Sequence, residues 1–107
     1  MKTRVANIRH GDAYDVYIGR PGHGLSGPFG NPVKIGVPCP ECDEIHENGG
    51  STLACYEKYL LRRVRIDVGF RKAVMALRGK VLGCFCTPRP CHGDVLARYV
   101  DSLPEAL

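Results

Sequence analysis

The sequence predicts an α/β fold, a small single domain with a short, mainly parallel sheet and helices packed on it. Three observations carry this. Two β-type runs come first, Arg4-Val5-Ala6-Asn7-Ile8 and Asp15-Val16-Tyr17-Ile18, parted by Gly11-Asp12 turn chemistry. Two stretches of helical period follow, and a short apolar run, Lys80 to Cys86, then stands between helical segments as a buried strand would. The implied order β-β-loop-α-α-β-α packs helices on a sheet. A chain of 107 residues fills one such domain, here residues 1–107, and is too short for two cores.

Each helix has a start and a stop. Ser51 is expected to cap a helix running to about Arg65, with Leu53, Tyr56, Leu60 and Val64 on one face. Asp67 is expected to cap a second, in which Phe70, Val74 and Leu77 keep the period until Gly79. A third runs from about His92 to Leu103 with Val95, Leu96, Tyr99 and Val100 inward, and Pro104 ends it. Residues 19–36 hold six glycines and three prolines, so no regular helix fits there. A loop of that length in a compact domain is usually functional.

Six cysteines form two tight groups. The chain opens Met-Lys-Thr-Arg-Val without an apolar leader, so the thiols are expected to be reduced and the protein cytoplasmic. No run approaches the roughly 18 apolar residues of a membrane span. Cys39-x2-Cys42-x3-His46 is a knuckle: a two-residue gap turns both thiolates toward one ion, and the histidine is a third ligand. Cys55, in the first turn after Ser51, supplies a fourth and completes a Cys3His set for structural zinc in an insertion at about 38–50. The bland alternative is a pair of surface thiols or a disulfide, with Cys55 in the core.

The second group differs. Cys84 and Cys86 lie two apart on a strand, and Cys91-His92 opens the last helix after Pro88 and Pro90. These four could bind a second metal, but adjacent side chains diverge, so a functional turn is the stronger expectation. There the amides around Gly93 offer an anion site, with His92 or Asp94 as acid/base, Asp94 alternatively binding a ribose hydroxyl or orienting a water, and Cys91 as nucleophile. Against this, Asp94 in a first turn is more simply a cap. Gly19, Arg20 and Asn31, with His23 and Ser26, form the other wall of a cleft for a nucleotide-like or phosphorylated ligand. Tyr14, Tyr17 and Tyr59 could stack a base, though core packing explains them equally.

A net charge of +4 is concentrated in Lys58, Arg62, Arg63 and Arg65 with Arg71, Lys72 and Arg78, a face able to meet nucleic acid or, more simply, solvent. The alternatives to the ligand-binding reading are a nucleotide hydrolase or transferase using the cleft, and an interaction module for nucleic acid or a host protein.

Val16-Tyr17-Ile18-Gly19-Arg20-Pro21, Phe29-Gly30-Asn31-Pro32, Leu77-Arg78-Gly79-Lys80-Val81-Leu82-Gly83-Cys84-Phe85-Cys86 and Pro90-Cys91-His92-Gly93-Asp94-Val95-Leu96 resemble the bacterial and phage family known as domain of unknown function 4326. The resemblance implies a small α/β domain and brings no activity with it. Residues 38–50 look like an addition to the family's shorter pattern.

Overall fold

The computed structural model describes residues 2–20, 27–85 and 91–103. Pro21, His23, Ser26, Cys86, Pro88, Pro90 and Pro104, used above, lie outside the described residues. The expected order of elements is present. Strand β1 is Arg4–Asn7, β2 is Val16–Tyr17 and β3 is Val81–Cys84; helix α1 is Leu53–Ile66, α2 is Val68–Met75 and α3 is His92–Ser102. All strand pairs are parallel, in the order β1-β3-β2. The central strand is therefore the last to be made in the chain.

Register follows side-chain alternation. Val5, Leu82 and Val16 form one row across the sheet, and Ala6, Gly83 and Tyr17 form the next. The first row enters the main core with Ile18 and Cys84, against Tyr56, Leu60 and Val64 of α1, Phe70 and Val74 of α2, and Val95, Leu96 and Val100 of α3. The apolar periods predicted for the helices are the faces that bury. Tyr56 has no exposed surface, and its phenol donates to the Phe29 carbonyl at 3.0 Å; burial pushes that phenol far above its ordinary range.

Boundaries differ locally. After Asn7 the chain tightens into a 3-10 turn, Ile8–His10, because the Asn7 side chain accepts the Arg9 N–H at 2.9 Å and Gly11 closes the turn at φ 74°. Ser51 is not the helix cap. Asn48 caps a preceding 3-10 turn, Gly49–Thr52, by accepting the Ser51 N–H at 2.9 Å, and α1 begins only at Leu53. Asp67 ends α1 and starts α2, its carboxylate accepting the Phe70 N–H at 3.0 Å. Helix α2 stops at Met75 rather than Gly79; the intervening residues make i,i+3 turns, and Gly79 at φ 77° donates to Thr3 Oγ1.

Candidate metal centre

Residues 36–46 fold on a small scaffold of their own. The Gly36 N–H donates to the His46 carbonyl at 2.9 Å, Pro38 bridges Ile45 antiparallel, and Cys39 N–H donates to Glu44 O at 2.8 Å. Asp43 takes the left-handed conformation at φ 65°, which aspartate tolerates, and its N–H returns to Cys39 O at 2.8 Å. This turn sets Cys39 and Cys42 on one side. The Cys42 sulfur lies 3.6 Å from His46 Nε2. Cys55 reaches the same point from the first turn of α1, so the ligand atoms of Cys39, Cys42, His46 and Cys55 all lie within 4.8 Å of one another. A zinc tetrahedron with Zn–S near 2.3 Å has sulfur–sulfur edges of about 3.8 Å. The cluster could hold a metal ion with small adjustments.

The histidine tautomer supports that fit. Ser51 Oγ has one proton and donates it to Asn48 O at 2.8 Å. Its contact with His46 Nδ1 at 3.1 Å therefore has Nδ1–H as donor, which leaves the Nε2 lone pair facing the sulfurs. Outer hydrogen bonds of this kind orient metal-bound imidazoles. Sequence reading took Ser51 for a cap and missed Asn48; the only signal was their closeness to His46.

Three thiols without a cation cannot all ionise. Around Cys39, desolvation opposes ionisation, but the backbone N–H groups of Glu41 and Cys42, with the Cys55 side chain, bond the sulfur, with the net result a thiol lowered to about 7. Cys55, buried and bonded to the other two thiols, is pushed up to about 12. One thiolate in such a set raises the next, and an arriving cation removes that penalty while releasing protons. Burial beneath the loop is small: Val33, Cys39 and Cys55 form a separate cluster with Cys42 against it. The loop is tied to the body by Arg62, whose guanidinium meets Glu41 at 2.6 Å.

The β3–α3 turn uses its cysteines otherwise. Cys84 and Cys91 sulfurs are 3.1 Å apart and both residues belong to the main core. Cys91 is the N-cap of α3: its sulfur accepts the Gly93 N–H at 3.3 Å, and Asp94 accepts the Cys91 N–H at 3.2 Å, a capping box. His92 is 7% exposed, with Nε2 2.6 Å from the Ile18 carbonyl. A carbonyl only accepts, so Nε2 carries the proton and Nδ1 faces the Cys91 sulfur at 3.7 Å. Desolvation lowers the His92 pKa, with Arg20 assisting and Ile18 and Asp94 opposing. A Cβ on Gly93 would stand 2.7 Å from Ile18 Cδ1, so the turn and the end of β2 are in close contact. Among the described residues, the only group of three or more Cys, His or acidic side chains with converging ligand atoms is the Cys39 cluster.

The residues expected to face a ligand are also engaged. Arg20 donates from Nε to Asn31 O and from Nη2 to Val33 O, both at 3.0 Å. Asn31 donates to Thr52 Oγ1 and accepts from Val33 N–H, both at 2.9 Å. Gly19 lies beneath the Tyr17 phenol, which donates to Arg20 O. These bonds brace residues 31–33 against Arg20 and Thr52. Of the basic face, Arg62 is paired with Glu41, and Arg63 stacks 4.0 Å over Phe70 and bonds Tyr59 and Asp67; Lys58 and Arg65 stay exposed. No helix among the described residues is long and apolar enough to cross a membrane.

With fold and cluster in view, the comparisons agree with the resemblance. The family described as domain of unknown function (DUF4326) matches residues 2–102, and the chain belongs to that family. It is also similar to a protein of Enterobacteria phage T4 described as an uncharacterized 12.4 kDa protein in the nrdA-td intergenic region, 36% identical over 53 residues. The match covers 50% of this chain and 49% of that protein, so the chain spans about half the length of the curated relative it matches. No solved structure matches.

Proposed function

We propose that the chain is a zinc-stabilised binding domain for an anionic ligand of nucleotide or phosphorylated type. Cys39, Cys42, His46 and Cys55 hold one zinc ion in a closed, structural site. The observation that carries the metal reading is the convergence of four soft or borderline donors with His46 already in the tautomer that ligates through Nε2. Zinc would supply the net attraction among three thiolates that the small cluster under the loop lacks.

Charge supports the ligand class. Residues 35–50 carry four acids and neither Lys nor Arg; outside them stand fifteen basic and seven acidic residues, a net of +8. The body, not the knuckle, attracts an anion. Binding is favoured over catalysis because Cys91, Asp94 and His92 are each engaged in capping α3 or in tying it to β2.

Elemental mass spectrometry on untagged protein tests the metal. One zinc per chain, lost in Cys39→Ser, is the expected outcome. An ion surviving Cys39→Ser would move the metal to the Cys84–His92 turn and overturn the assignment. Calorimetric titration with nucleotides and inorganic phosphate, and retention on nucleic acid, test the ligand class; no binding to any of them would remove it.

A further inference from the structure

Among the described residues, α-helices cover the sheet on one face only. Alternation sends Val5, Leu82, Cys84 and Val16 to the core shared with α1, α2 and α3, and sends Arg4, Ala6, Val81, Gly83, Phe85 and Tyr17 the other way. Parallel sheets usually bury both faces. Here the second face is met by the β1–β2 connection, and what that connection lays on it is aromatic. The Tyr14 ring rests on Gly83, where a Cβ would stand 2.6 Å from the ring, and Tyr14 remains 37% exposed. Tyr17 and Phe85 meet edge to face with centroids 6.2 Å apart. The Arg9 guanidinium sits 5.6 Å from the Phe85 centroid.

We propose that this face is a stacking platform for the bases of a single-stranded nucleic acid, with Tyr14, Tyr17 and Phe85 as the rings and Arg9 and Arg4 as phosphate contacts. The proposal rests on the anionic-ligand reading above and deepens it. Small residues in the row Ala6–Gly83 clear a flat bed, and the rings of Tyr14, Tyr17 and Phe85 lie on this face with Val81 as the only β-branched side chain of the set. Bases have a π-face whatever their sequence, so rings flanked by arginine bind single strands without reading them. Charge agrees with an anionic occupant. Arg4 and Arg9 are exposed, and of the two acids in the connection, Asp12 and Asp15, the Asp15 carboxylate is held at the amino end of β3 by the Val81 N–H at 2.8 Å. The helical basic face lacks the second ingredient: the rings beside it, Phe70 and Tyr59, pack on each other, and Tyr59 also packs on Tyr56.

The test is fluorescence anisotropy of zinc-loaded protein with labelled oligothymidylate, oligoadenylate and an abasic strand of equal length. Comparable binding of the two base-bearing strands is expected, with Tyr14→Ala and Phe85→Ala each weakening binding about five- to a hundredfold and the abasic strand weakened by at least as much as either variant. Tyr14→Trp, which keeps a ring at an exposed position, is expected to retain affinity and guards against a folding artefact. Abasic binding equal to the others, or binding indifferent to Tyr14→Ala and Phe85→Ala but lost in Lys58→Glu/Arg65→Glu, would sink the platform while leaving an anion-binding domain. Absence of binding to any strand, with nucleotides and phosphate also inert, would sink both.

Discussion

The two cysteine clusters use the same residue types to opposite ends. Around Cys39 the thiols and a histidine converge from a turn and a helix start onto one point, over a cluster whose sole aliphatic member is Val33. Around Cys91 the sulfurs sit in the main core and serve as a helix cap and packing. The clusters differ in spacing and also in what lies beneath: a segment with its own hydrophobic support can use cysteine as a small hydrophobe, while one without it gains most from a cross-link.

Metal removal should separate the clusters most sharply. With free zinc at a thousandfold its Kd, the ion adds about 4 kcal/mol to stability. Chelation or Cys55→Ser should therefore lower the thermal midpoint by many degrees. Cys84→Ala should leave one zinc in place and cost about 1 kcal/mol for the lost sulfur contacts. Equal zinc loss in the two variants would erase the contrast.

Overpacking comes next. Gly93→Ala brings a methyl within 2.7 Å of Ile18 and 2.9 Å of Val5, and urea unfolding should show a loss of about 1–3 kcal/mol. A neutral result would mean that the turn is looser than the main core. Below this lies the cap: Cys91→Ala should cost about 1 kcal/mol, and Cys91→Ser, which keeps an acceptor for the Gly93 N–H, should recover most of it. Both should retain zinc.

The pH response of His92 is a smaller effect with a defined sign. Its folded pKa is lowered by desolvation, so the unfolded chain binds the proton more readily. The associated stability is present above the unfolded value near 6.5 and is lost as pH falls through the folded value. An NMR titration should place the His92 midpoint below that ordinary value, and His92→Gln should flatten this part of the stability profile. A midpoint above 6.5 would contradict the buried neutral imidazole. Least of all, Arg62–Glu41 is an ion pair with a half-exposed arginine; a double-mutant cycle should give under about 1 kcal/mol.

Much of the fold was readable because local signals agreed with it. The helical faces at Tyr56, Leu60 and Val64 and at Val95, Leu96 and Val100 are the buried ones, since a 3.6-residue apolar period has one way to meet a sheet. Asp67 reads as a cap from one residue. Ser51 misled because a capping hydroxyl accepts a helix N–H, whereas Ser51 Oγ donates to the Asn48 carbonyl and meets His46 Nδ1. The grouping of Cys39, Cys42, His46 and Cys55 was readable too, because donor chemistry and Cys-x2-Cys spacing are local. Arg20 and Asn31 were not: a glycine-rich loop displays the same polar groups whether they face a ligand or brace the loop, and their partners lie eleven to twenty-one residues away.

Sequence alone thus determined the element types, the inward faces and the donor set of the knuckle, all governed by neighbours a few residues apart. Tertiary structure decided which strand is central and that, among the described residues, Tyr14, Tyr17 and Phe85 share one face of the sheet. Each of those depends on strand order, and strand order is set by packing between residues more than sixty positions apart, which no local pattern encodes.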